Sequence, residues 1–137
     1  MRYVGQHRLI YLWCNILAVK WKNFKTKFKE IWQVDVTYTD TQSHEQKGLR
    51  PCLIIKEFKT GYMVLVIPFT GELGAERFPY TTKIEKSKEN GLDSDSIALV
   101  FQMKSISKKR FKYKRGKISS NKYNNIEIHI KNIFSLM

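Results

Sequence analysis

Residues 31–39, IWQVDVTYT, alternate without a break: Trp32, Val34, Val36 and Tyr38 fall on one side, and Gln33, Asp35, Thr37 and Thr39 on the other. A period of two belongs to extended backbone and places a helix out of register within one turn, so the segment is committed to a half-buried β-strand. A polar loop, residues 40–48, follows it. Two short apolar runs, residues 52–55 and 62–68, flank Lys59-Thr60-Gly61 and predict a hairpin of buried strands with Gly61 at the turn. Residues 81–86 are a weaker strand candidate. Asn90-Gly91 with Asp93-Ser94 marks a turn or loop, and residues 96–103, SIALVFQM, return to strand. Runs of this length also suit a buried helix, but the density of Val, Ile and Phe and the turn residues between the runs favour strands. In the tail, Ile126, Ile128 and Ile130 alternate, whereas Tyr123, Ile126, Ile130, Ile133, Phe134 and Met137 fit one helical face over a longer span. With Ser119, Ser120 or Asn121 available as N-cap, the tail is expected to be a helix.

A chain of 137 residues holds one such domain with a real core. Its hydrophobic fraction of 42% and aromatic fraction of 13% exclude a disordered chain. The 25 Lys and Arg against 12 Asp and Glu give a formal charge of +13, a field that attracts nucleic acid, an anionic membrane face or an acidic protein. Cys14 and Cys52 have no CxxC or zinc-ligand spacing and read as ordinary buried thiols of a reducing, cytoplasmic compartment. His7, His44 and His129 are scattered, and the chain contains no HExxH, GxGxxG or GxxxxGK[ST]. Metal hydrolases, dinucleotide enzymes and P-loop NTPases are therefore poor matches, and neither a cofactor nor a metal site is expected.

Residues 1–28 stand apart from the domain expected over residues 29–137. Residues 1–29 carry seven basic side chains and no acid, so +7 of the +13 lies there. Residues 9–19 are apolar apart from Asn15, too short to cross a bilayer and without the small-residue cleavage site of a signal peptide. Leu9, Leu12, Trp13, Ile16, Leu17, Trp21, Phe24 and Phe28 follow helical steps with lysines between the later members, which is an amphipathic basic helix. Three readings stand open: the stripe packs on the domain or a second subunit, it lies on a membrane surface, or translation starts upstream and the segment is poorly ordered.

Beyond Met103, Lys104, Lys108, Lys109, Arg110, Lys112, Lys114, Arg115 and Lys117 occur with no acid between them and with Phe111 and Tyr113 interleaved. Such a run is either a solvated face or a surface that follows phosphates and stacks bases. The polar loop ends in Glu45-Gln46-Lys47-Gly48-Leu49-Arg50-Pro51, an EQxGxRP pattern that leads into one apolar strand, while the next ends in Pro68-Phe69-Thr70. Residues 91–110, GLDSDSIALVFQMKSISKKR, and residues 115–119, RGKIS, follow in order.

In this arrangement the chain resembles the MazF/PemK family of toxin ribonucleases, whose GLxxxSVxxxxQIRTIDKxRL and IGxLS segments match those last two stretches. The resemblance covers residues 30–134. It implies a mainly β, SH3-like barrel with a C-terminal helix, to which the N-terminal amphipathic helix is an addition. It also implies a homodimer that cuts single-stranded RNA without metal and is silenced by an acidic antitoxin protein. The family's catalytic arginine and threonine map to Arg50 and Thr70. The chain departs from the pattern at Gly71, where a serine is common, at Lys104 in place of the QIR arginine, and at Ser107 in place of the TIDK acid.

The chemistry follows from the residue types. Metal-free cleavage of RNA uses the neighbouring 2′-hydroxyl as nucleophile, so a site must accept its proton, hold the in-line geometry and stabilise charge on the phosphate. Arg50 suits the last task through its planar fork, and Thr70 can donate a hydroxyl hydrogen bond to the same phosphate. Glu45, five residues before Arg50, is the candidate base or substrate-positioning acid, with His44 as alternate. Gln46, Lys47, Gln102, Lys104, Lys108, Lys109 and Arg110 are the candidate RNA-binding residues. The competing reading is a non-catalytic nucleic-acid-binding or partner-binding protein on the same barrel, and a third is a membrane-surface protein acting through residues 1–28.

Overall fold

The computed structural model describes residues 25–37, 46–59 and 62–135. The strands are β1 (Glu30–Asp35), β2 (Leu49–Glu57), β3 (Met63–Thr70), β4 (Thr81–Ile84), β5 (Ser96–Leu99), β6 (Lys104–Ser107) and β7 (Phe111–Lys117). Short 3₁₀ turns occupy Leu73–Arg77, Val100–Gln102 and Lys108–Arg110, and helix α1 (Ser120–Phe134) closes the chain. Every pairing is antiparallel, in the order β4-β5-β3-β2-β1-β7, with β6 also on β3.

One connection forces the sheet to roll. In a flat sheet β6 and β7 would stand four strand spacings apart, ~19 Å. Only the three residues Lys108–Arg110, in a 3₁₀ turn that rises ~2 Å per residue, link them. The sheet must therefore curl until its β6 and β7 edges meet, giving the expected small barrel. β3 shares its outer edge between two partners, Met63 to Val66 on β6 and Phe69 to Thr70 on β5. Pro68, which has no N–H to donate, falls in the gap between them.

The alternation of β1 sorts its side chains between two cores. Ile31, with Leu53, Ile67 and Phe69, faces a cluster completed by Ile84, Leu92, Ala98, Val100, Ile118 and Ile126. Trp32, Val34 and Val36, with Cys52, Ile54, Val64 and Val66, face a second cluster closed by Ile106 and Phe111. The expectation of a half-buried strand is therefore corrected, because Glu30 and Gln33 are buried too. Gln33 is covered by β7, where its Oε1 accepts a 2.7 Å hydrogen bond from Arg115 Nε. The strand is also shorter than residues 31–39: it ends at Asp35, whose Oδ1 accepts from Thr37 N, while Tyr38 and Thr39 lie outside the described residues.

The β2–β3 hairpin is present, with Cys52 opposite Pro68 and Glu57 opposite Val64; Gly61 lies outside the described residues. The strand expected over residues 96–103 stops at Leu99, where the β4 ladder ends, and Val100 stays buried by turning into a 3₁₀ segment. A continuous apolar run carries no internal stop signal, so burial alone could not place that end. The basic run proves to contain two strands. In α1, Ser119 Oγ accepts from Lys122 N at the N-cap, Ile126 enters the core, and Tyr123, Ile130 and Ile133 pack against it. Ile128 is 56% exposed, which removes the alternating reading of the tail. Phe134, expected on the packed face, is exposed as well, as the last residue of the helix.

The expected N-terminal helix lies outside the described residues up to Phe24. Residues 25–29 are not helical. Phe28 packs edge-on against Tyr123 of α1, with ring centroids 4.8 Å apart, and Lys29 Nζ stands 5.1 Å from the Tyr123 ring centroid. Cys52 is fully buried, and burial pushes its thiol up; Cys14 lies outside the described residues.

Two glycines set the approach of the loop before β5 to β7. Gly91 adopts φ +66°, and a Cβ on it would collide with the Arg115 carbonyl; one on Gly116 would collide with the Glu89 carbonyl. Gly116→Ala should lower stability by ~1–3 kcal/mol or prevent folding, measured by thermal or urea unfolding. A second prediction concerns Glu30. Burial opposes its charge, but hydrogen bonds from Lys114, Trp32 Nε1 and Lys27 N outweigh it and hold the carboxyl below its ordinary value. A depressed pKa contributes stability that is present above the unfolded value and lost as pH falls through the folded one. Glu30→Gln should therefore destabilise the protein at neutral pH by ~1–2 kcal/mol and flatten the acid side of its stability profile.

Candidate functional site

Arg50 and Thr70 enter the site from neighbouring strands. The last β2–β3 pair is Cys52 with Pro68, and Arg50 and Thr70 each stand two residues beyond it, at the same end of the ladder. Thr70 is 4% exposed, pairs with Ile97 of β5, and accepts a 3.2 Å hydrogen bond at Oγ1 from Glu72 N. That contact occupies a lone pair and leaves the hydroxyl hydrogen to donate elsewhere. Arg50 is half-buried beside Val34 of β1, and its Nε donates to Lys47 O at 3.0 Å. The bond fixes the plane of the guanidinium; among the described residues its terminal nitrogens have no partner.

A cavity of about 490 Å³ opens beside Thr70. Thr70 and Glu72 line it from the end of β3, Ala75 and Phe78 from the following turn, Leu99, Phe101 and Gln102 from the end of β5, and Gln46 from the segment before β2. Gln102 Oε1 accepts from Gln46 N at 3.0 Å, joining two candidate residues 56 positions apart. Gln46 Oε1 is buried and has no partner among the described residues, so it is an acceptor awaiting a donor. Phe78 and Phe101 form an exposed aromatic rim, ring centroids 6.3 Å apart, with the Arg77 guanidinium 4.7 Å from the Phe78 ring centroid. Rings and cations of this kind suit stacking against a planar, negatively charged ligand.

The basic candidates do not converge on this cavity. Lys104 Nζ donates to Val36 O at 3.4 Å and Arg110 Nη1 to Thr37 O at 2.9 Å, so both grip the end of β1 where the polar loop departs. Val36 N to Gly48 O and Gly48 N to Thr37 Oγ1 tie the other end of that loop to the same place. Asp35, just before it, is held below its ordinary value by hydrogen bonds from Thr37, with the charges of Arg110 and Lys112 adding to the effect. Lys108 forms an ion pair with Glu57, and its N–H donates to Tyr62 O, at the opposite end of β3 from Thr70. Lys109 is exposed, and its N–H donates to Ser107 Oγ. Lys47 is half-buried and contributes its carbonyl to Arg50. Glu45 and His44 lie outside the described residues.

Sequence reasoning missed Glu72, Arg77, Phe78 and Phe101. The available signal was Phe78-Pro79-Tyr80 in an otherwise polar stretch just after Pro68-Phe69-Thr70. Arg115, counted in the basic run, proves to be a clasp. Besides Gln33 it donates to Gly91 O at 2.8 Å and Asp93 Oδ2 at 2.9 Å. Among the described residues no three of His, Cys, Asp and Glu come together as metal ligands, and no helix is long and apolar enough to cross a membrane.

Residues 27–134 match the family model of the PemK-like, MazF-like toxin of type II toxin-antitoxin systems. The chain is 37% identical over 84 residues to the endoribonuclease MazF of Staphylococcus saprophyticus, an alignment that covers 59% of this chain and 69% of that protein. Among solved structures, an endoribonuclease in complex with its cognate antitoxin from a mycobacterial species superposes with a TM-score of 0.63. It is 14% identical, over 82% of this chain and 98% of the other. MazF from Deinococcus radiodurans superposes with a TM-score of 0.65 at 14% identity, over 80% and 96% of the two chains. At that identity the structural likeness speaks for the fold.

The clamp on the end of β1 is testable by itself. Replacing Lys104 and Arg110 together by Met should raise amide hydrogen exchange at Val36 by roughly tenfold, the equivalent of ~1–2 kcal/mol of lost hydrogen bonding, while amides in α1 keep their protection.

Proposed function

The chain belongs to the PemK-like, MazF-like toxins of type II toxin-antitoxin systems, and on that premise we propose that it is an endoribonuclease that cleaves single-stranded RNA, mRNA above all, without a metal ion. The observation that carries the reading is the position of Arg50 and Thr70 at the same end of the β2–β3 ladder, both with donors to spare. The free fork of Arg50 meets two oxygens of the scissile phosphate and neutralises charge as it builds, while the Thr70 hydroxyl donates to the same group. Glu45 serves as base or as a substrate-positioning acid, with His44 its alternate. The 2′-oxygen attacks phosphorus, the bond to the 5′-oxygen breaks, and the products carry a 2′,3′-cyclic phosphate and a 5′-hydroxyl.

The rest of the site fits a strand of unpaired nucleotides. Gln46 and Gln102 offer amide groups to a base edge, and Phe78 and Phe101 offer faces for stacking. Lys47, Lys104, Lys108, Lys109 and Arg110 contribute to the field that draws RNA in and to contacts with its backbone. The same field suits an acidic antitoxin, and one solved relative was determined with its cognate antitoxin. A homodimer in the cytoplasm is the expected working form.

The competing reading, a binding protein without catalysis, draws on the same basic surface but gives Arg50 and Thr70 no task. The test is incubation of the purified protein with a long single-stranded RNA in EDTA. Discrete fragments with cyclic-phosphate ends are expected, and Arg50→Ala should slow their appearance by ~10²-fold or more with an unchanged melting temperature. Binding of RNA with no cleavage would favour the competing reading.

A further inference from the structure

Thr70 and Glu72 share one cavity wall, with a glycine between them. A side chain at Gly71 would meet nothing within 4 Å, and Glu72 beside it is exposed while Thr70 is buried. Glu72 precedes the 3₁₀ turn Leu73–Arg77 in the N-cap position, yet its carboxylate does not cap it. Among the described residues that carboxylate makes no hydrogen bond and no ion pair, and it is the one acid lining the cavity. Its backbone N–H donates to the Thr70 hydroxyl oxygen. Ala75, Phe78, Leu99 and Phe101 supply apolar walls around the pair.

Taking as given that the chain cleaves RNA at Thr70, we propose that Glu72 is the catalytic base, accepting the proton of the attacking 2′-hydroxyl. A phosphate held by Arg50 and Thr70 brings the adjoining ribose into the cavity that Glu72 lines. The 2′-hydroxyl proton passes to the carboxylate as the oxygen–phosphorus bond forms. The 5′-oxygen leaves with the electron pair of the broken bond and takes a proton from water, and Glu72 returns its own proton to solvent afterwards. Glu45, in the polar loop before Arg50, is then left with the positioning role.

The experiment measures kcat/KM against pH on single-stranded RNA for the wild type, Glu72→Gln, Glu72→Asp and Glu45→Gln. RNA affinity and melting temperature are measured for each. Glu72→Gln should lose ~10²-fold or more in kcat/KM, and the acid limb of the profile with it, while still binding RNA and keeping its melting temperature. Glu72→Asp should restore the acid limb at a reduced plateau, and Glu45→Gln should keep that limb whatever its plateau. An active wild type whose acid limb survives in Glu72→Gln, or disappears in Glu45→Gln instead, overturns the assignment. A wild type that cuts no RNA overturns the ribonuclease reading itself, and the two failures are thereby told apart.

Discussion

Strands β1, β2 and β3 bury side chains on both faces, so the central sheet cannot persist until two separate covers are in place. One cover is the outer part of the sheet with α1, which delivers Ile126. The other is the rolled barrel wall, which delivers Ile106 and Phe111. Each large apolar side chain removed from water contributes ~1.5–3 kcal/mol. The two clusters thus hold the sheet as a sandwich whose middle layer is shared. The Lys108–Arg110 connection is decisive here, because it shortens the path between sheet edges and forces the curl that encloses the second core.

The site inherits its geometry from that curl. Arg50 and Thr70 sit just past the last hydrogen-bonded pair, where both strands have left the ladder but are still positioned by it. β3 changes partners near Pro68, so Thr70 belongs to the β5 side of the sheet while Arg50 remains on the β1 side. The cavity lies on the β5 side, lined by Thr70 and not by Arg50. Rigid strands thus place the polar groups, and the turn after Thr70 adds the acid and the aromatic rim.

Positive charge on this surface has at least three uses. Arg115 clasps the loop before β5, Lys104 and Arg110 hold the carbonyls at the end of β1, and Lys108 pairs with Glu57. Lys109, Lys112, Lys114 and Lys117 are the exposed cations of the basic run, and Lys114 is paired with Glu30 as well. A count of lysines and arginines therefore measures the field the protein projects but not the number of phosphates it can touch.

The period-two pattern of residues 31–35, the pairing of β2 with β3 and the helical face of the tail were readable directly, because each is a local rule of backbone geometry. Arg50 and Thr70 were legible only through the family resemblance that the EQxGxRP and Pro68-Phe69-Thr70 motifs carry, and the structure sets both at one end of the β2–β3 ladder. Tertiary contacts decided the rest. Burial of Gln33 depends on β7, the end of β5 depends on where β4 stops pairing, and the presence of Glu72 beside Thr70 depends on how the turn after β3 folds back over β5. These are contacts between residues far apart in the chain, or turns whose direction is set by what they pack against, and no periodicity along the sequence encodes them.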